Sequence, residues 1–253
     1  MNIRKWLLWV GMMFLSISLQ AKEAPAREIF CEGSYPGHLQ GIDTDGKNIF
    51  WTFTTVLVKT DDAGKVLLKK DVPTHHGDLC VHDGVVYVAV NRGRFNQEQG
   101  AVSEVWSYRA KDLEFLKKYE VPQLVHGAGG MTWYDGSFYI VGGLPKTHTQ
   151  NYVYQYTPNF SFAKRHDLLS GYTVLGIQTV SFLKGKFWFG IYGSKDNPAG
   201  VIRSDTDFAT LERFREDGSV GMMDLHGRLY LAQTVRRKDK RWTGRAVSCK
   251  ALE

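Results

Sequence analysis

Three histidines raise the first question of chemistry. His38 and His76 stand at the same offset ahead of a turn glycine (Gly46 and Gly84), and His126 stands two residues further back from a third, Gly136. Residues two apart share one face of a strand, so all three imidazoles are expected to point the same way. Gln40 and Asp78 occupy the next positions of the same parity. Imidazoles converging from separate strands could hold a divalent metal through His38, His76 and His126. Asp78 would then be a fourth ligand or the group that orients one. Without a metal, the same residues could act as general acid and base, since histidine titrates near neutral pH. In the plainest reading they hydrogen-bond backbone groups. Gln178, ahead of a fourth turn glycine, is off by one in parity and joins the set only if a bulge intervenes.

Charge surrounds these positions. Arg92 and Arg94 lie in a long polar segment, 91–104, and Lys146, Lys195, Arg236, Arg237, Lys238, Lys240 and Arg241 fall in comparable loops. A basic rim favours an anionic small molecule or glycan, such as an acidic sugar. Phe95, Trp51, Tyr192 and Trp242 could stack on sugar rings, or else fill space between packed sheets. No nucleophile elbow, HExxH helix, P-loop or dinucleotide fingerprint occurs, so no organic cofactor is implied. No nucleic-acid motif occurs either.

The elements that must position these residues come from a repeat. One turn signature recurs five times between alternating apolar runs, with glycines at Gly46, Gly84, Gly136, Gly185 and Gly227. The spacing is that of a four-stranded propeller blade, about 40–50 residues. Two further β-rich segments follow each of the first four copies, as in VLVKTD and KVLLKKD after the first. An all-β, five-bladed β-propeller is therefore expected, with the histidines on the face opposite the glycine turns. A β-sandwich would explain neither the five turns nor the segment left over at the start.

That segment, residues 26–32, is spare, and the fifth unit is one strand short. Docking it as the outermost strand of the last blade closes the ring. Cys31 and Cys249 would then lie on adjacent strands, and a disulfide between them is expected. Cys80 reads as a small buried apolar side chain.

Residues 1–21 have the form of a cleavable signal peptide: Arg4 and Lys5, a short apolar run, then a small residue at Ala21. Residues 22–253 are then a single domain, periplasmic or secreted, with no stable membrane anchor after cleavage. A net charge of +6 is moderate and excludes little.

The first unit, 38–67, resembles the opening repeat of the plant and bacterial glutaminyl cyclotransferases, on Gln40-Gly41, Lys59, Asp61 and Gly64-Lys65-Val66. The resemblance implies a secreted five-bladed propeller. Thr52 stands where that family carries its catalytic glutamate, so no catalytic residue is carried over. Taken together, the residues lead us to expect an exported propeller that binds an anionic carbohydrate-like ligand at a histidine-lined channel mouth, and cleaves it as a lyase or hydrolase if it is an enzyme. A non-catalytic scaffold or protein-binding propeller is the alternative.

Overall fold

A computed structural model describes residues 26–252, and the expected signal peptide lies outside them. The chain folds into five four-stranded antiparallel sheets arranged in a ring. Blade one is β2 (Leu39–Thr44), β3 (Ile49–Phe53), β4 (Val56–Thr60) and β5 (Val66–Asp71). Blade two is β6 (His76–His82), β7 (Val85–Asn91), β8 (Ser103–Arg109) and β9 (Phe115–Glu120). Blade three is β10 (Ala128–Tyr134), β11 (Ser137–Gly142), β12 (Asn151–Tyr156) and β13 (Phe162–Leu168). Blade four is β14 (Val174–Leu183), β15 (Lys186–Tyr192), β16 (Gly200–Ser204) and β17 (Leu211–Phe214). Blade five takes β18 (Met222–Leu225), β19 (Arg228–Arg236) and β20 (Trp242–Ser248) from the end of the chain and β1 (Glu28–Phe30) from the beginning. The first strands of consecutive blades touch around the ring, and β18 meets β2 to complete it.

The burial of each strand follows its place in the blade. β3 is buried throughout because neighbouring blades press on both of its faces, whereas the outermost β5 alternates half-buried and exposed residues. Aromatic side chains fill the wedges between blades. Phe138 stacks on Phe160 with centroids 4.5 Å apart, and Trp51 is wholly buried with its indole N–H donating to Thr60 Oγ1 at 3.1 Å. Trp51 is therefore a packing residue rather than a sugar platform.

Four of the five glycine turns are two-residue hairpins, and the first, around Gly46, is a four-residue loop over 45–48. Asp135 and Gly136 both have positive φ, at 43° and 74°, which fits the right-handed twist of the flanking strands. At the other end of the inner strands the ladder is broken. A bulge or register irregularity falls between Leu39 and Gly41, between His76 and Leu79, between Ala128 and Gly130, and between Val174 and Thr179. These irregularities decide which side chains face the channel.

Closure of the ring follows the expected route, but the expected disulfide does not form. β1 runs antiparallel to β20 with Glu28 opposite Val247 and Phe30 opposite Arg245. In that register the Cys31 N–H donates to the Gly244 carbonyl, while the Ser248 N–H donates to the Arg27 carbonyl. Cys31 and Cys249 thus sit at opposite ends of the pairing, far outside bonding reach. Cys31 packs beside Tyr35 in one core and Cys249 against another that contains Trp188 and Leu252. Sharing neighbouring strands was not sufficient, because antiparallel pairing fixes position along the strand as well as adjacency. Cys80 is buried in a third core.

Candidate functional site

A cavity of about 520 Å³ opens at the end of the channel opposite the glycine turns. The first four blades all contribute. His38 and Gln40 come from the start of β2, His75 and Gly77 from the start of β6, Asn91 from the end of β7, Gln178 from β14 and Tyr192 from the end of β15. Phe95, on the 92–102 loop between β7 and β8, and Leu175 supply apolar walls. The lining holds neither a carboxylate nor a lysine or arginine. It is a neutral surface of carboxamides, imidazoles, a phenol and an aromatic ring.

Gln40 Nε2 donates to His38 Nε2 at 2.6 Å, which makes that ring nitrogen the acceptor and leaves the proton of neutral His38 on Nδ1. Burial lowers the pKa of His38. Burial also lowers that of His75, and His38 adds to the effect as a neighbouring cation would. Both rings are consequently neutral at neutral pH and ready to accept a proton. Trp242 meets His38 edge to face at 6.1 Å, and the Arg236 guanidinium lies 4.4 Å from the Trp242 ring centroid.

The residues singled out from the sequence divide. His38, Gln40 and Gln178 line the cavity, Gln178 because the irregularity in β14 corrects its parity. His76 does not. It is completely buried between strands, its Nε2 2.7 Å from the Tyr108 hydroxyl and its Nδ1 3.0 Å from the Thr74 carbonyl oxygen, with Trp106 edge-on. His75, the residue before it, lines the cavity in its place. His126 is also buried and lies elsewhere, beside His148 at 4.9 Å between ring centroids. His38, His76 and His126 therefore do not converge on one metal. Among the described residues, the group of three with ligand atoms all within 4.8 Å of one another is Glu98, His126 and His148.

Asp78 lies deeper, in the axis of the ring, where its Oδ2 accepts from the Val180 N–H at 3.1 Å. Arg92 turns outward into a two-point ion pair with buried Glu104, with contacts of 2.9 and 2.6 Å, and Arg94 is exposed; neither lines the cavity. Thr52, at the position matched to the cyclotransferase glutamate, is buried and donates to the Gly77 carbonyl at 2.7 Å, so it joins blade one to blade two. Asn91 escaped sequence reasoning. It receives the Val102 N–H on Oδ1 and donates to the Gly93 carbonyl, clamping the base of the 92–102 loop. An asparagine closing a strand ahead of a glycine-containing loop is the available signal for such a clamp.

No family model matches the chain, and no curated protein matches it. Its fold does match solved structures. A gluconolactonase from Xanthomonas campestris superposes with a TM-score of 0.50 at 11% identity, over 88% of this chain and 89% of that one. A xylan β-1,4-xylosidase from Bacillus halodurans superposes with a TM-score of 0.59 at 12% identity, over 86% of this chain and 54% of that one. At such identities the likeness establishes the shared propeller fold and leaves the chemistry to the residues of this chain.

Proposed function

We propose that this chain is an exported propeller that binds a carbohydrate-like ligand in the channel-mouth cavity, with His75 as the proton acceptor. The observation that carries the reading is the lining itself. Two neutral imidazoles, three carboxamides, Tyr192 and Phe95 surround one volume suited to a sugar ring, whose hydroxyls need many neutral hydrogen-bond partners and whose faces need apolar contact. That the fold is shared with enzymes named for a gluconolactone and for xylan agrees with this choice.

Between the two reaction classes, the lining favours elimination. Glycoside hydrolysis ordinarily needs two carboxyl groups flanking the bond, roughly 5–9.5 Å apart, and the lining has none. A neutral imidazole can instead remove the proton next to a sugar-ring carboxylate. The C–H electrons then form a C=C bond, the neighbouring C–O bond breaks, and the departing oxygen takes the proton back from the imidazolium. An anionic sugar would direct its carboxylate toward Arg236, which stacks on Trp242 beside His38, rather than toward Arg92, which Glu104 already neutralises.

The test is a panel of uronate-bearing and neutral oligosaccharides, with binding followed by calorimetry and elimination by the ultraviolet absorbance of the new conjugated double bond. His75→Ala should lower turnover about 10²–10⁴-fold while leaving KM nearly unchanged. Turnover should also fall on the acid side, at a pH below the ordinary histidine value of 6.5. Unchanged turnover in His75→Ala would remove the assigned role, and absence of binding across the panel would remove the whole reading. Export belongs to the same proposal, and a mature protein beginning at Lys22 is the expected result of N-terminal sequencing.

A further inference from the structure

Away from the cavity, three loops of the same face bring together Glu98, His126 and His148. We propose that these three residues bind a divalent transition-metal ion, with zinc the ion best matched to two imidazoles and one carboxylate. The proposal stands apart from the sugar reading and needs none of its residues.

Its first support is convergence. His148 Nε2 lies 3.1 Å from both carboxylate oxygens of Glu98, and one ligand atom from each of the three residues falls within 4.8 Å of the others. An ion placed among them would replace the Glu98–His148 hydrogen bond with two bonds to metal. The second support lies in the atoms that face away. His126 Nδ1 donates to the Gln97 carbonyl at 3.0 Å, which leaves the lone pair on Nε2. His148 Nδ1 lies 3.3 Å from the Tyr152 hydroxyl, a group that can donate or accept and so serves either tautomer. Thr147 Oγ1 donates to Glu98 Oε1 at 2.7 Å. Metal-bound histidines and carboxylates commonly have such partners, which fix ring orientation and tautomer before the ion arrives.

The third support is preorganisation of the loop that brings in Glu98. The Asn96 N–H donates to the His126 carbonyl and Asn96 Oδ1 accepts from the Leu144 N–H, both at 3.0 Å. The 92–102 loop is thereby tied to blade three on both sides of the cluster. Phe95 belongs to the same loop and forms a wall of the cavity, so an ion here would stiffen that wall without entering it. Three protein ligands leave a fourth position for water.

Tag-free protein, stripped with a chelator, is titrated with cobalt(II) and followed by visible absorption, then challenged with zinc(II). We expect saturation at one equivalent per chain, displacement by zinc, and slower proteolysis within 92–102 when zinc is present. Glu98→Gln and His148→Ala should each weaken binding by at least about 10–100-fold, and Thr147→Val by about tenfold. His226→Ala, at an exposed histidine elsewhere, should leave binding intact. Circular dichroism and thermal unfolding establish that each variant remains folded. The proposal is overturned if no one-equivalent saturation occurs, or if the Glu98→Gln/His148→Ala double variant binds as tightly as the parent. No sugar enters the assay, so its failure and that of the cavity reading are distinguishable.

Discussion

Asp78 is held in the axis of the ring, where a carboxylate is poorly accommodated. The Val180 N–H donates to Oδ2, but Oδ1 accepts no hydrogen bond of ordinary geometry among the described residues. Burial pushes this carboxyl well above its ordinary value, with the amides of Leu79, Val180 and Ile42 offsetting part of the effect. Asp43, lower in the channel, is raised to about 7, again chiefly by burial. A carboxyl raised in this way holds its proton more firmly in the folded chain than in the unfolded one. Its contribution to stability is complete below 3.8 and is lost as pH climbs toward the folded value. The histidines whose pKa is lowered run the other way. His76, lowered to about 4, and His38, His75 and His166, also lowered by burial, contribute fully once pH exceeds 6.5. Above pH 6.5 the histidines are complete and only the aspartates still change, Asp43 until about 7 and Asp78 until its own raised value. We expect Tm to fall from pH 6.5 to 7, at up to about 1.4 kcal/mol per pH unit for each carboxyl that stays protonated in the fold. Calorimetry should show the fall in the parent and a flatter profile in Asp78→Asn; a parent Tm that is level or rising from pH 6.5 to 7 would refute the assignment. Asp78 was legible in sequence as an inward-facing residue, but its depth was not, because parity gives a direction and no distance. His75 and His76 show the complementary limit. They are adjacent in sequence, yet His75 lines the cavity and His76 packs against Tyr108, a choice between neighbours that spacing from the turn glycine does not make.

At the scale of elements, the fifth blade shows how much the repeat could foretell. Four copies of a four-strand unit, a fifth copy one strand short and a spare strand at the start suffice to predict that β1 completes the last blade. The same reasoning could not predict the register, which depends on where Ile29 finds its pocket. Ile29 is buried in the core shared by blades one and five, and the flanking Glu28 and Phe30 are exposed. Shifting β1 by one residue would reverse all three. Cys31 follows from that register. Burial raises its thiol to about 12, and Tyr35 takes a 3.6 Å contact with the sulfur. Two outcomes are expected. Ile29→Ala should lower stability by about 2 kcal/mol, from lost burial and the space left behind, as read from the denaturant midpoint. Cys31 and Cys80 should resist alkylation at pH 8 in the folded protein and react after unfolding, with reduction changing neither mass nor mobility. A two-hydrogen mass increase on reduction would show that a disulfide forms after all.

Viewed as a whole, the molecule is a ring whose blades repeat in topology and differ in chemistry, and the centre is where those differences must be reconciled. The run His126-Gly127-Ala128-Gly129-Gly130 looks only superficially like an esterase oxyanion loop, since no Gly-x-Ser-x-Gly accompanies it in the sequence. In the fold, its last glycine instead lets three blades approach one another. A Cβ at Gly130 would lie 2.6 Å from the Gln178 carbonyl oxygen and 2.8 Å from Thr179 Cα in blade four, and 2.9 Å from Asp78 Oδ2 in blade two. Gly136 in the turn of the same blade is required for a different reason. Its φ is 74° with nothing within 4 Å of a Cβ, so alanine there is strained without colliding. Gly130→Ala should cost about 1–3 kcal/mol by overpacking, and Gly136→Ala about 1 kcal/mol through its backbone. Similar losses with different causes can be separated by pairing each with Asp78→Asn in a double-mutant cycle. The Gly130→Ala pair should depart from additivity by more than about 0.5 kcal/mol, because the added methyl displaces the carboxyl that the second change alters. The Gly136→Ala pair should add to within about 0.3–0.5 kcal/mol, since the turn lies at the far end of the blade. If both pairs add equally well, the channel centre is not the coupled unit that its close contacts imply, and each blade is responding to substitution alone.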